Sequence, residues 1–235
     1  MSKFSDINST GLGNTDTNLA LRSYMLRVYN YMGFGLILTG LIAYLTASTP
    51  AMVNAIYGTP LGMVVMFAPL AFILVLSFGV NKIQASTAQM LFWLFCAVMG
   101  VSISYIFLLY TGVSITRVFL ITAATFLTMS IYGYTTKADL SKMGAILMMA
   151  LIGIIIAMIV NIFMKSSQLD FAISIIGVIV FTGLTAWDTQ RIKSNFDERM
   201  DSSTLKKSAI LGALALYLNF INLFLMLLRL VGDRR

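Results

Sequence analysis

The chain has 235 residues, 59% of them apolar and 11% charged, and 16 Lys and Arg against 9 Asp and Glu give it a net charge of +7. A mean hydropathy of +0.89 excludes a soluble domain, whose surface this composition would cover in apolar side chains. With no histidine and a single cysteine, the sequence also excludes His-ligated metal and haem sites, imidazole-dependent nucleophiles and any intrachain disulfide.

Residues 1–30 read as a cytoplasmic tail, polar and rich in Ser, Thr and Asn at first, then mildly amphipathic in LALRSYMLRVY. The segment LRSYMLRVY either lies along the inner interface with Arg22 and Arg27 toward phosphates, or simply extends the first span. Residues 31–235 read as a transmembrane domain. At about 20 apolar residues per crossing, seven spans are expected: Tyr31 to Ala47, Leu61 to Gly79, Ala88 to Tyr110, Ile115 to Tyr134, Met143 to Met164, Phe171 to Trp187 and Ser208 to Val231. The runs are continuous and do not alternate with period two, so they predict helices and not barrel strands.

In the first span, Gly33, Gly35 and Gly40 fit close approach of a neighbouring helix. Pro69 predicts a kink in the second, either a static bend or a moving gate element. Cys96 reads as a small packing residue of the third. Thr116, Thr122, Thr125, Thr128 and Ser130 in the fourth can bond carbonyls of their own helix. Asp139 is placed to cap the fifth, and Asn161 near its far end reads as a satisfied amide. In the sixth, Ser174, Gly177, Phe181, Leu184, Thr185 and Asp188 share one face. A carboxylate at membrane depth costs about 2.5 to 3.5 kcal/mol on insertion scales. Asp188 therefore either sits at the interface, pairs with Arg191 one turn on, or belongs to a pathway or proton sensor. Residues Phe196 to Lys207 form a polar loop. The seventh span carries Ser208, Gly212, Ala215, Asn219, Asn222 and Arg229 in one stripe, and reads as a central helix that the others enclose.

Orientation follows from the basic residues. Lys3, Arg22 and Arg27 of the tail, Lys82, Lys137, Lys142 and the five between Arg191 and Lys207 fall on one side, against Arg117 and Lys165 opposite. Basic loops stay cytoplasmic, which puts the amino terminus inside. Seven crossings put the carboxyl terminus outside, although Arg229, Arg234 and Arg235 argue mildly against that. No nucleic-acid partner is needed to explain the charge.

GLTAWDTQRIK (Gly183 to Lys193) and LALYLNFINLFLMLLRLVG (Leu214 to Gly232), with YGYTTKADLSKMG and MMALIGIIIAMIVNIFMKS, closely resemble the transmembrane Bax-inhibitor-motif family. The resemblance implies an all-α, seven-helix bundle with the last helix central and a closed pore. In several members it implies a pH-sensitive calcium leak. In bacterial relatives it implies an inner-membrane location and contact with a membrane-bound quality-control protease. The family's proton sensor is a pair of aspartates, one in each of the last two helices. The first matches Asp188; the second falls at Asn219, because Tyr-Leu-Asp-Phe-Ile-Asn reads here Tyr217, Leu218, Asn219, Phe220, Ile221, Asn222. Two carboxylates in contact titrate as a unit, whereas Asp188 and Asn219 keep the hydrogen bond and lose one proton site. The second span also lacks the basic residue that some relatives carry there.

Two functions compete. One is a passive or gated cation leak with Asp188 at the cytoplasmic mouth, Asn219 and Asn222 along the path, and Arg191, Tyr217 and Pro69 in support. Calcium would then be the permeant ion and no cofactor would be needed. The other is a non-transporting regulator of a membrane-bound protease or of stress survival. An enzyme is not expected: an intramembrane aspartyl protease needs two carboxylates, a retinal protein needs a lysine in the last span, and the prolines lack the Asn-Pro pairing of a water channel.

Overall fold

A computed structural model describes the backbone of residues 3–235 and the side chains from residue 18 onward, Asn81 excepted. Met1, Ser2 and the Lys3 side chain of the expected tail lie outside the described residues. Among the described residues, nine α-helices follow in order: α1 (Lys3–Ser48), α2 (Pro50–Tyr57), α3 (Leu61–Gly79), α4 (Ala85–Ile103), α5 (Ile106–Leu109), α6 (Gly112–Thr135), α7 (Ser141–Met164), α8 (Ser167–Ser194) and α9 (Ser202–Val231). Seven helical segments among the described residues are long and apolar enough to cross a bilayer, α4 and α5 together making the third, and each overlaps an expected span. The exposed surface carries large apolar side chains such as Phe78, Val113 and Phe163. In water that surface would aggregate; between lipid tails it is the only stable choice.

At several points the structure differs from the expectation. The segment LRSYMLRVY continues the first spanning helix, with Tyr24, Met25 and Val28 buried, so the extension is found and not a helix lying along the interface. The third span is broken at Ser104 and Tyr105, where α4 ends and the one-turn α5 begins. The Ser104 hydroxyl donates to the Val101 carbonyl at 2.8 Å, so the hydroxyl of Tyr57, 2.8 Å away, donates to Ser104 and staples α2 over the break. Of the three glycines in the first span, Gly35 alone is tightly packed: a Cβ there would meet Cys96 Sγ at 2.9 Å, whereas Gly33 and Gly40 have open space.

The polar loop is shorter than Phe196 to Lys207, because α9 starts at Ser202. Asp201 caps it, its carboxylate accepting from the backbone N–H groups of Ser203 and Thr204, each at 3.0 Å. Hydrogen bonds from Thr204, hydroxyl first and then backbone, hold the Asp201 carboxyl below the usual carboxylate range. Asp139 behaves alike at the start of α7, where Ser141 holds its carboxyl low and donates a backbone N–H at 2.9 Å.

The last helix is indeed central. It packs on α8, α1, α6 and α4, and fourteen of its residues are buried. These cover about two thirds of its circumference, while Leu211, Ala215, Leu218, Asn222, Leu225 and Arg229 form one stripe that is only half-buried. Because lipid tails are as apolar as leucine, such a bundle is held by close packing and polar contacts more than by the hydrophobic effect. Glycines make that packing close: a Cβ on Gly133 of α6 would lie 2.1 Å from the Ala186 carbonyl oxygen of α8. One end of the bundle is marked by the contact of Tyr24 with Phe196, ring centroids 5.2 Å apart. At the other end the carboxyl-terminal residues bond the α5–α6 connection, Thr111 N–H to the Asp233 carbonyl and Arg235 N–H to the Leu109 carbonyl.

Candidate functional site

The last two turns of α8 spell Trp187-Asp-Thr-Gln-Arg-Ile-Lys193. The sequence reading ended the sixth span at Trp187. The helix runs on to Ser194, so Asp188 lies inside the bundle and not just beyond it. Every side chain of this stretch has its own partner. Trp187 lies flat on Gly144 of α7, where any Cβ would overlap the indole. Thr189 donates to the Thr185 carbonyl at 2.8 Å, so Ser130 of α6 donates to Thr189 at 3.2 Å. Gln190 donates to the Ala138 carbonyl and accepts from Leu140 N–H, tying down the α6–α7 connection. Ile192 fills the space over Gly212 of α9. Lys193 donates to the Tyr134 carbonyl at 2.8 Å with its ammonium over the Tyr134 ring. A helix end bonded to three neighbours holds its carboxylate in one place.

That carboxylate is 5% exposed. Asp188 Oδ2 accepts from Asn219 Nδ2 of α9 at 2.7 Å. Oδ1 lies 2.6 Å from Arg191 Nη2, yet off any hydrogen-bond axis, so this second contact is Coulombic more than directional. Arg191 is itself half-exposed and its guanidinium sits 4.6 Å over the Trp187 ring, which fixes the charge without drying it. Asp188 is thus ion-paired and bonded across helices at once: the Arg191 pairing and the inward-facing position, offered by the sequence as alternatives, coexist.

The other expected residues lie elsewhere. Asn222 donates to the Leu218 carbonyl of its own helix at 2.8 Å and does not join the pair. Tyr217 faces away from Asp188, fully buried against Phe95. Thr39 of α1 spends its hydroxyl proton on the Cys96 carbonyl of α4 at 2.8 Å, so the Tyr217 hydroxyl donates to Thr39 at 2.7 Å. This junction joins α1, α4 and α9. Pro69 is buried in α3, which packs chiefly on α4. The fourth-span hydroxyls Thr116, Thr122, Thr125 and Thr128 bond their own helix as expected; Ser130 alone reaches another helix. Asn161 accepts from Ser166 N–H at 3.0 Å across the α7–α8 reversal.

A second charged contact, not among the expected ones, joins the same two helices. Arg229 Nη1 near the end of α9 lies 3.4 Å from Asp170 Oδ1 near the start of α8, both partly buried. The signal was available, since Asp170 is an acid in the first turn of α8 and Arg229 a cation in the last turn of α9, each where the helix dipole favours it.

Seven crossing helices, the last packed on four of the others and stitched to α8 by a buried carboxylate and an amide, define a polytopic α-helical membrane protein. The family model described as "Inhibitor of apoptosis-promoting Bax1" matches residues 21–235. The inner membrane protein YbhL of Escherichia coli is 48% identical over 219 residues, covering 92% of this chain and 93% of that one. RP147 of Rickettsia prowazekii is 46% identical over 215 residues, 92% and 91% of the two chains, and YrjE of Lactococcus lactis 36% over 217, 90% and 91%. The chain belongs to the Bax inhibitor family, as the residues of its last two helices suggested.

Proposed function

We propose that the protein is a cation leak of the bacterial inner membrane, closed in this state, with its amino terminus in the cytoplasm and Asp188 as the charged element at the cytoplasmic mouth. One observation carries this reading: an aspartate 5% exposed that grips an amide on the central helix at 2.7 Å. A buried carboxylate is costly in a membrane, and one bonded across the two most closely packed helices is a latch between them. Protonating Asp188 removes its attraction to Arg191 and turns a charge-assisted bond from Asn219 into a weaker neutral one. The latch then loosens and flux rises as pH falls, less steeply than in a chain with two aspartates. Calcium is the favoured ion because hard cations take oxygen ligands. One carboxylate and two amides are few, which suits transit more than tight holding. The amino-terminal orientation rests on the distribution of Lys and Arg.

The test is calcium flux into liposomes of the purified protein across a pH series. The native chain is expected to leak more in acid, and Asp188→Asn to leak at every pH. Flux equal to that of empty liposomes at every pH would sink the leak. It would leave the regulator, whose effect needs a partner such as a membrane-bound quality-control protease.

A further inference from the structure

On the outside of the bundle, at the end where Tyr24 meets Phe196, a groove of about 450 Å³ runs between α1 and α4. A shallower one on the α4 side shares its Trp93 wall. The α1 wall presents one face of the helix at spacings of three and four residues. Ser23, Arg27 and Asn30 come first, with Leu26 among them, then Tyr31 and Phe34. On α4 the order repeats, with Ser86 and Gln89 near the helix start and Trp93 and Leu94 one to two turns deeper. Two helices running in the same direction thus grade from polar to apolar together, over about 16 Å on α1 and 12 Å on α4 at 1.5 Å per residue. That is the depth from the headgroup layer into the upper acyl chains.

The polar groups of this groove are unspent. Among the described residues, the Arg27 guanidinium, the Asn30 and Gln89 amides and the Trp93 indole N–H have no hydrogen-bond or ion-pair partner in the protein. Trp93 is held in place by Tyr31, centroids 5.8 Å apart, and by Phe92 at 5.2 Å, so the walls are rigid without a guest. A free guanidinium flanked by amide and hydroxyl donors, with an aromatic and apolar floor beyond, matches a phosphate ester that carries hydrocarbon. It does not match a free anion, which would leave the apolar half empty.

We propose that the groove between α1 and α4 binds an anionic phospholipid, its phosphate held by Arg27 with Asn30 and Ser23, and an acyl chain lying along Trp93, Phe34 and Leu94. Each basic residue near an anionic membrane surface contributes about 1 kcal/mol, which is about fivefold in affinity.

The test uses the full chain reconstituted in a phosphatidylcholine bilayer doped with a small fraction of lipid brominated on its acyl chains. Bromine quenches nearby indole fluorescence. Because the chain has two tryptophans, the Trp93 contribution is taken as the difference between the native chain and Trp93→Phe. Brominated phosphatidylglycerol is expected to quench Trp93 at about one fifth of the mole fraction that brominated phosphatidylcholine needs. Arg27→Gln should erase the difference, Arg27→Lys should keep part of it, and joint replacement of Lys137 and Lys142 by Gln at another edge of the same end should leave it. Equal quenching by the two lipids in the native chain overturns the proposal. So does a preference that survives Arg27→Gln or that disappears with the two lysines, since it would then report only the general basic rim.

Discussion

Asn219→Asp restores to α9 the second carboxylate that this chain lacks, and the geometry sets its effect. Asn219 Nδ2 now stands 2.7 Å from Asp188 Oδ2; the substitution replaces that donor by an oxygen. Two carboxylates with charge centres about 4 Å apart repel by about 4 kcal/mol at an effective dielectric of about 20. At about 1.4 kcal/mol per pH unit, this separates the two proton losses by about three units. Arg191, half-exposed, can neutralise one of the charges and not both. The variant therefore keeps one proton on the pair across the neutral range, and that proton takes over the role of the amide hydrogen in bridging α8 to α9. Infrared spectroscopy of the protein in lipid reads this directly. A protonated-carboxyl band should persist at neutral pH in Asn219→Asp, be lost on alkaline titration, and vanish in the double variant Asp188→Asn/Asn219→Asp, where no second acid faces the new one. In the flux assay, the pH profile of Asn219→Asp should become steeper than that of the native chain. Loss of the band at the ordinary carboxylate range would refute the reasoning, because it would mean that the two side chains do not face one another in the membrane.

Three further outcomes are expected. Tyr217→Phe removes one buried interhelical hydrogen bond, which costs about 0.6 kcal/mol on average in membrane proteins and at most about 1.7. It should lower thermal stability in detergent slightly and leave the pH profile of flux in place, since Tyr217 faces Thr39 and not Asp188. Gly133→Ala drives a methyl group into the Ala186 carbonyl and should destabilise by about 1 to 3 kcal/mol; Gly153→Ala, where nothing lies within 4 Å, is the matched control and should change little in the same melting experiment. At the start of α9 the Asp201 carboxyl is held below its ordinary range, so its contribution is fully present above the unfolded value near 3.9 and is lost as pH falls through the lowered one. Protection of the Ser203 and Thr204 amides, taken as the exchange rate of an unstructured peptide divided by the observed rate at each pH, should therefore be constant through neutral pH, fall only in strong acid, and be low at every pH in Asp201→Ala.

The seven crossings were legible because lipid enforces a simple code: about 20 apolar residues per span and no unpaired backbone. The central position of the last helix was legible from its small and polar stripe, although the buried residues cover more of its circumference than that stripe does. Large apolar side chains look the same to a sequence reader whether they meet lipid or protein. For that reason Leu216 and Leu223, both fully buried, could not be told from Leu94 or Leu120 at the surface. The Asp188–Asn219 contact was legible through family resemblance joined to helical spacing. The role of Tyr217 was not, since its partner Thr39 lies 178 residues away and no local pattern marks it. The break at Ser104 was hidden too: Val, Ser, Ile, Ser and Tyr sit within a long apolar run, and the turn is supported by the Ser104 hydroxyl on the Val101 carbonyl and by the Tyr57 hydroxyl from a short helix that the hydropathy pattern does not show.

Both polar contacts between α8 and α9 bear on how the latch would open. Asp188 meets Asn219 near one end of α8, and Asp170 meets Arg229 near the other, 18 residues earlier, or about 27 Å of helix, close to the thickness of the hydrocarbon core. Between them the contact is apolar and tight: a Cβ on Gly177 would come within 2.9 Å of Met226 Cγ. Met226 is the one large residue that interrupts the small and polar stripe of α9, and it fills the gap that Gly177 leaves. Neutralising Asp188 releases one end and leaves the far ion pair and this central plug in place. The most economical motion is then a splaying of the two helices at the Asp188 end about the Met226–Gly177 contact, not a separation along their length. The flexible thioether lets that contact act as a pivot, because methionine repacks at small cost where a branched side chain would clash. For the leak proposed above, a path opened in this way would be wide where Asp188, Asn219 and Arg191 stand and narrow where Met226 meets Gly177.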